Sequence, residues 1–152
     1  MQVFIENEAG SNKKNLFNEK TLEYKKTMLV SSEYPYPYGF VLNTTSGDGD
    51  NLDCFILTNK KLNMGETVQC IPVGLMEQFE TSWDPEKTGI EEEDHKILAG
   101  LEGESVEVNE DIKNRLSDFV ITVFNHIPNK RTRVGRFLSR EAAENLLQVS
   151  RD

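Results

Sequence analysis

Three carboxylates fall within six positions in the stretch Ser46-Gly47-Asp48-Gly49-Asp50-Asn51-Leu52-Asp53. Apolar runs flank it, Gly39-Phe40-Val41-Leu42 before and Cys54-Phe55-Ile56-Leu57 after, so two strands carry a loop of concentrated negative charge. Carboxylates this close repel one another unless a cation lies among them, and hard oxygen donors at that density suit Mg²⁺ or Ca²⁺ better than a transition metal. The same residue types also build ordinary exposed turns, so Asp-Gly-Asp by itself does not separate a site from a solvated turn. An EF-hand loop starting at Asp48 fails. That pattern needs an oxygen ligand, a glycine and a glutamate where this chain has Leu52, Asp53 and Asn59.

The elements that must position these groups are mostly short strands. Val3-Phe4-Ile5 reads as a strand ending at Glu6, and Ala9-Gly10-Ser11-Asn12 as a turn. Residues 13–26 alternate weakly and suit a hairpin, with a helix as the alternative. Residues 27–30 form a strand. In Tyr34-Pro35-Tyr36-Pro37-Tyr38 the alternating prolines exclude a helix and fix an extended path, so the tyrosines either pack or present phenolic donors to an anion. Strands follow at 53–58 and 67–76, the second bent at Pro72 and Gly74 as a bulge or corner of a closed sheet requires. Residues 78–93 lack periodicity and read as an exposed excursion. A strand returns at 95–99. Asn109 caps a helix with Ile112, Leu116, Phe119, Val120 and Val123 inward, expected to end near Pro128. Ser139 opens a second helix with Ala142, Ala143, Leu146 and Leu147 inward. One domain over 1–152 follows.

The chain has 152 residues, a hydrophobic fraction of 37% and a formal charge of −9, which suits one domain and argues against a general nucleic-acid binder. No apolar run is long enough to span a membrane and no secretory pattern opens the chain, so a cytoplasmic protein is expected. Cys54 and Cys70 each lie in an apolar run without metal-ligand spacing and read as buried thiols. Neither His95 nor His126 pairs with a nucleophile at suggestive spacing, and Trp83 reads as an interface anchor or a lid residue.

Taken in order, Glu6, Tyr34-Pro35-x-x-Tyr38-Gly39, Asp48-Gly49-Asp50-x-x-Asp53 and Asp94-x-Lys96 resemble the soluble (type I) inorganic pyrophosphatases over nearly the whole chain. The resemblance implies an α+β, mainly β fold: a highly twisted five-stranded OB-like barrel with two C-terminal helices packed outside. It implies Mg²⁺-dependent hydrolysis of inorganic diphosphate, with Asp48, Asp53 and Asp94 holding the tightest ion and Asp50 accepting the proton of the attacking water. Glu6 would approach a substrate-borne ion, Glu80 or its rival Asp84 would supply a third metal, and Tyr38 and Lys96 would contact phosphate. A homo-oligomer, commonly a hexamer among bacterial members, is implied as well.

Several family positions are altered. A lysine persists at Lys14, but the nearby carboxylate reads Leu16. Lys26 stands for an arginine and loses its bidentate fork, and a Tyr-Lys pair reads Ile127-Pro128. The basic group Lys130, Arg131, Arg133 and Arg136 follows at once, and Arg131 and Arg133 are expected to replace the missing phosphate contacts or to be solvated surface. These losses leave two further readings: hydrolysis of another diphosphate or polyphosphate, and a non-catalytic relative that binds metal or protein.

Overall fold

The computed structural model describes residues 1–87 and 89–152, and residue 88 of the expected excursion lies outside them. Among these residues the chain forms β1 (Gln2–Asn7), β2 (Lys13–Phe17), β3 (Tyr24–Leu29), β4 (Tyr38–Val41), β5 (Asp53–Ile56), β6 (Thr67–Thr81), β7 (Glu91–Glu93), β8 (Lys96–Leu101), α1 (Glu110–Thr122), β9 (Thr132–Leu138) and α2 (Arg140–Ser150). Strands β1, β4, β5, β8 and β6 pair in that order, and β6 pairs back onto β1, so five strands close into a twisted ring. This is the mainly β, OB-like arrangement that the family resemblance implies. All pairings in the ring are antiparallel except β5 with β8. The outer strands β7 and β9 extend β6, and β2 with β3 forms a separate hairpin.

Strand alternation divides the apolar side chains between two cores. Val3, Ile5, Val41, Ile56, Leu75 and Ile97 come from all five ring strands and form one cluster, which is the ring interior. Ala143 and Leu147 of α2 pack onto it. Phe55, Met76 and Leu98 point the other way and meet Leu116, Phe119 and Val120 of α1. A smaller cluster, Phe4, Phe17 and Phe40, joins the hairpin to the ring.

The β6 register shifts between Pro72 and Gly74, so the bend expected there is present. Other expectations change. Residues 13–26 adopt the hairpin and not the helix. Strand β6 does not stop at Met76 but continues to Thr81, because β9 and β7 supply partners for residues that carry no apolar pattern of their own. Glu80 therefore sits on a strand. Helix α1 begins as predicted, with Asn109 Oδ1 accepting from Ile112 N at 2.9 Å, but ends at Thr122, well short of Pro128. Ser139 takes the cap position of α2 without a side-chain capping bond.

Candidate active site

Each acidic group reaches the site by a different local device. The loop before β5 folds on itself: Ser46 N donates to Asp50 O at 2.7 Å and Gly49 N to Ser46 O at 3.1 Å. Gly49 has φ +90°, which a side chain would oppose. Asp48 Oδ1 accepts from the Asp50 amide at 2.9 Å and from the Ser46 hydroxyl. Glu6 lies where the β1 to β4 register slips between Ile5 and Asn7, and such a bulge re-aims a side chain. Asp53 opens β5 and Lys96 opens β8, and their parallel register, Cys54 opposite Ile97, places the two side by side.

The result is a cavity of about 230 Å³ lined by Glu6, Lys14, Glu19, Tyr34, Tyr38, Asp48, Asp50, Asp53, Glu80, Asp94 and Lys96, with Leu16, Phe119, Val123, Phe124 and Trp83 as an apolar wall. A cleft of about 700 Å³ adjoins it, sharing Asp48, Asp50, Asp53, Glu80, Trp83 and Asp94 and adding Asp84. At the centre the Lys96 Nζ donates to Asp53 Oδ2 at 2.6 Å, Asp94 Oδ2 at 2.8 Å and the Tyr38 hydroxyl at 3.2 Å.

The electrostatics follow from burial and neighbours. Burial would lower the Lys96 pKa, but Asp53 and Asp94 outweigh it and hold the ammonium well above its ordinary value. For Asp94, burial is overcome by Lys96 and by hydrogen bonds, so its carboxyl falls below the usual range. Burial, only partly offset by Lys96, keeps Asp53 raised. Glu80 is lifted to about 7 by burial and then by Asp94. Glu6 is lifted to about 8 by burial, against the pull of Lys14. Lys14 itself is raised, because Tyr34, Glu6 and Asp53 outweigh its burial. Asp50 is raised by burial and by Asp48.

Hard oxygen donors under mutual repulsion suit Mg²⁺ in chemistry and charge. Among the described residues, however, no three acidic, histidine or cysteine side chains form a ready-made metal cage. The Lys96 ammonium stands between Asp53 and Asp94 instead.

Of the residues singled out in the sequence, Glu6, Lys14, Tyr38, Asp48, Asp50, Asp53, Glu80, Asp94 and Lys96 meet at the cavity. Asp84 lines only the outer cleft of these two spaces. Lys26 is exposed on β3 opposite Leu16 and does not line the cavity. Arg133 turns away to a paired contact with Glu91 at 2.7 and 2.9 Å and lies over the Phe79 ring at 4.0 Å, while Arg131 is exposed. Arg136 pairs with Glu77.

The cation of that basic group that turns inward is Lys130. Its side chain is 3% exposed, 3.7 Å from Glu80 Oε1 and 3.7 Å from the centre of the Trp83 ring. It also donates to Thr81 O at 2.6 Å. Sequence reasoning also missed Glu19, which reaches the cavity from the β2–β3 turn, and nothing in its spacing marked it. The tyrosine segment contributes Tyr34 and Tyr38 to the cavity, and all three tyrosines are buried.

The family model described as inorganic pyrophosphatase matches residues 3–152. An inorganic pyrophosphatase of Nanoarchaeum equitans is 28% identical over 151 residues, covering 99% of this chain and 94% of the relative. One from Sulfolobus acidocaldarius is 24% identical, covering 99% and 88%. A solved inorganic pyrophosphatase structure from Coxiella burnetii superimposes with a TM-score of 0.84 at 25% identity, covering 99% of this chain and 92% of that one. With a match across the full fold, this chain belongs to the inorganic pyrophosphatase family.

Proposed function

We propose that this chain, as one domain over residues 1–152, hydrolyses inorganic diphosphate to two phosphates with Mg²⁺ as its cofactor. The observation that carries the reading is convergence. In a chain of this family, Asp48, Asp50, Asp53, Glu80 and Asp94 face one cavity that Lys14, Tyr38 and Lys96 also enter.

Asp48, Asp53 and Asp94 would hold the cation most tightly, with Glu6 and Glu80 serving further positions. Bound Mg²⁺ would supply charge screening for the diphosphate and would lower the pKa of a bound water. Asp50 accepts the proton of the attacking water on a carboxylate oxygen, from the same loop that carries Asp48 and Asp53. Lys14, Lys96 and the Tyr38 hydroxyl donate to phosphate oxygens whose charge rises as the bridging P–O bond breaks. Lys130 acts indirectly, holding Glu80 and Trp83 at the rim. Family membership and the net charge of −9 support the rest of the reading: a cytoplasmic homo-oligomer without nucleic-acid or membrane partners.

Phosphate release from diphosphate at neutral pH should require Mg²⁺. Asp50→Asn should cut turnover by about 10²–10⁴-fold while leaving Mg²⁺ affinity largely intact, since the amide cannot take the proton. Wild-type rates in that variant would remove Asp50 from its role, and no phosphate release from the unaltered chain would remove the reading.

One observation favours a second substrate. The apolar wall of Leu16, Phe119, Val123, Phe124 and Trp83 offers a surface to an organic group. A panel of organic diphosphates and polyphosphates assayed beside diphosphate decides between them.

A further inference from the structure

The β2–β3 turn is fastened to the acidic loop by two adjacent residues. Lys20 donates from Nζ to Asn51 Oδ1 at 2.6 Å, Thr44 O at 3.0 Å and Thr45 Oγ1 at 3.1 Å. Glu19 accepts the Asn51 amide at 3.0 Å through Oε1. An acid in a hairpin turn ordinarily faces water, yet Glu19 is half-buried and lines the cavity. Burial lifts its pKa to about 8, helped by the charges of Asp53 and Asp50 and opposed by the Asn51 amide.

A second observation comes from another strand. Glu6, on β1, is 5% exposed and lines the same cavity, and its carboxyl meets no hydrogen-bond donor among the described residues. A buried carboxyl drawn by the charges of Lys14 and Lys96 yet hydrogen-bonded to neither, aimed into a space that a second acid also enters, keeps its oxygens open to a cation.

We propose that Glu19, carried by the β2–β3 turn and held against the acidic loop by Lys20, is a further carboxylate ligand of the divalent-cation site, acting with Glu6 and Asp53. The proposal rests on reading the cavity as a Mg²⁺ site. Lys20 is a positioning residue in it, because its ammonium is engaged by the loop and by Asp152 at 3.7 Å.

The test is calorimetric titration of Mg²⁺ into the full chain without substrate, so that binding is read separately from turnover. Glu19→Gln keeps an acceptor for the Asn51 amide and removes only the charge. It should weaken Mg²⁺ binding at least 10-fold, equivalent to about 1.4 kcal/mol, without lowering the metal-free melting temperature. Glu23→Gln, at an exposed acid near the same turn, should bind as the unaltered chain does.

Lys20→Met removes a positive charge, which by charge alone would tighten cation binding, so weakened binding is the signature of positioning. Unchanged Mg²⁺ affinity in Glu19→Gln overturns the proposal. Should that variant not fold, Glu19→Asp keeps the charge with a shorter reach; weaker binding supports the proposal and unchanged binding overturns it. An unaltered chain that binds Mg²⁺ but releases no phosphate defeats the hydrolase reading alone, whereas one that binds no Mg²⁺ overturns both.

Discussion

Burying an ammonium group is unfavourable unless carboxylates face it, and Lys96 faces two, with its side chain only 5% exposed. Removing it strands Asp53 and Asp94 as partly buried, unpaired charges. Lys96→Met should therefore lose about 3 kcal/mol of stability at neutral pH without divalent cation, at the low end of the cost of breaking a buried pair because both carboxylates keep some solvent contact. Urea unfolding midpoints measure this, and an unchanged midpoint would show that Lys96 is not their counter-ion. Of these two aspartates, Asp53 was legible because it shares one loop with Asp48 and Asp50, and Asp94 through the family resemblance of Asp94-x-Lys96. Lys130 was not. Four cations crowd residues 130–136, and only the register of β9 on β6, Phe79 opposite Arg133, shows which of them turn away.

The strands that carry these groups depend on a close approach between β1 and β4. A Cβ at Gly39 would lie 1.7 Å from Phe4 O, inside the neighbouring backbone, so only glycine fits there. Gly39→Ala must push the two strands apart and shift Tyr38, the next residue on β4. We expect a loss of at least about 4 kcal/mol, among the larger effects of a single substitution, read by thermal or urea unfolding. A midpoint within 1 °C of the unaltered chain would contradict this close packing of Gly39 on Phe4. Periodicity revealed α1, α2 and most ring strands, because each buries one face. It failed over residues 77–81. There Gln78 and Glu80 line the cavity while Glu77 pairs with Arg136, so a strand exists without an apolar face to announce it. The end of α1 was misplaced for a related reason: Phe124 and Ile127 continue the apolar supply in turns, not in helix.

At the scale of the molecule, α1 and α2 pack on opposite faces of the ring wall, and Phe55 and Ile56, adjacent in β5, serve one core each. Neither core can melt without exposing the other side of the same strands. Unfolding should accordingly be a single transition, with Trp83 fluorescence and far-ultraviolet circular dichroism giving coincident urea curves. Separated midpoints would divide the chain into independently stable parts. The OB-like class was legible in the sequence through family resemblance, while the order of strands around the ring rests on long-range pairing that no local pattern encodes.

The side-by-side placement of Asp53 and Lys96 depends on the parallel contact of β5 with β8, and β6, which separates them in sequence, pairs with β8 from the other side. Two parallel strands cannot be joined by a tight hairpin, so this contact waits for a long intervening segment to find its place. Catalytic competence is thus a late event in the life of each newly made chain: a fragment ending before residue 96 would carry the acidic loop and yet be inert.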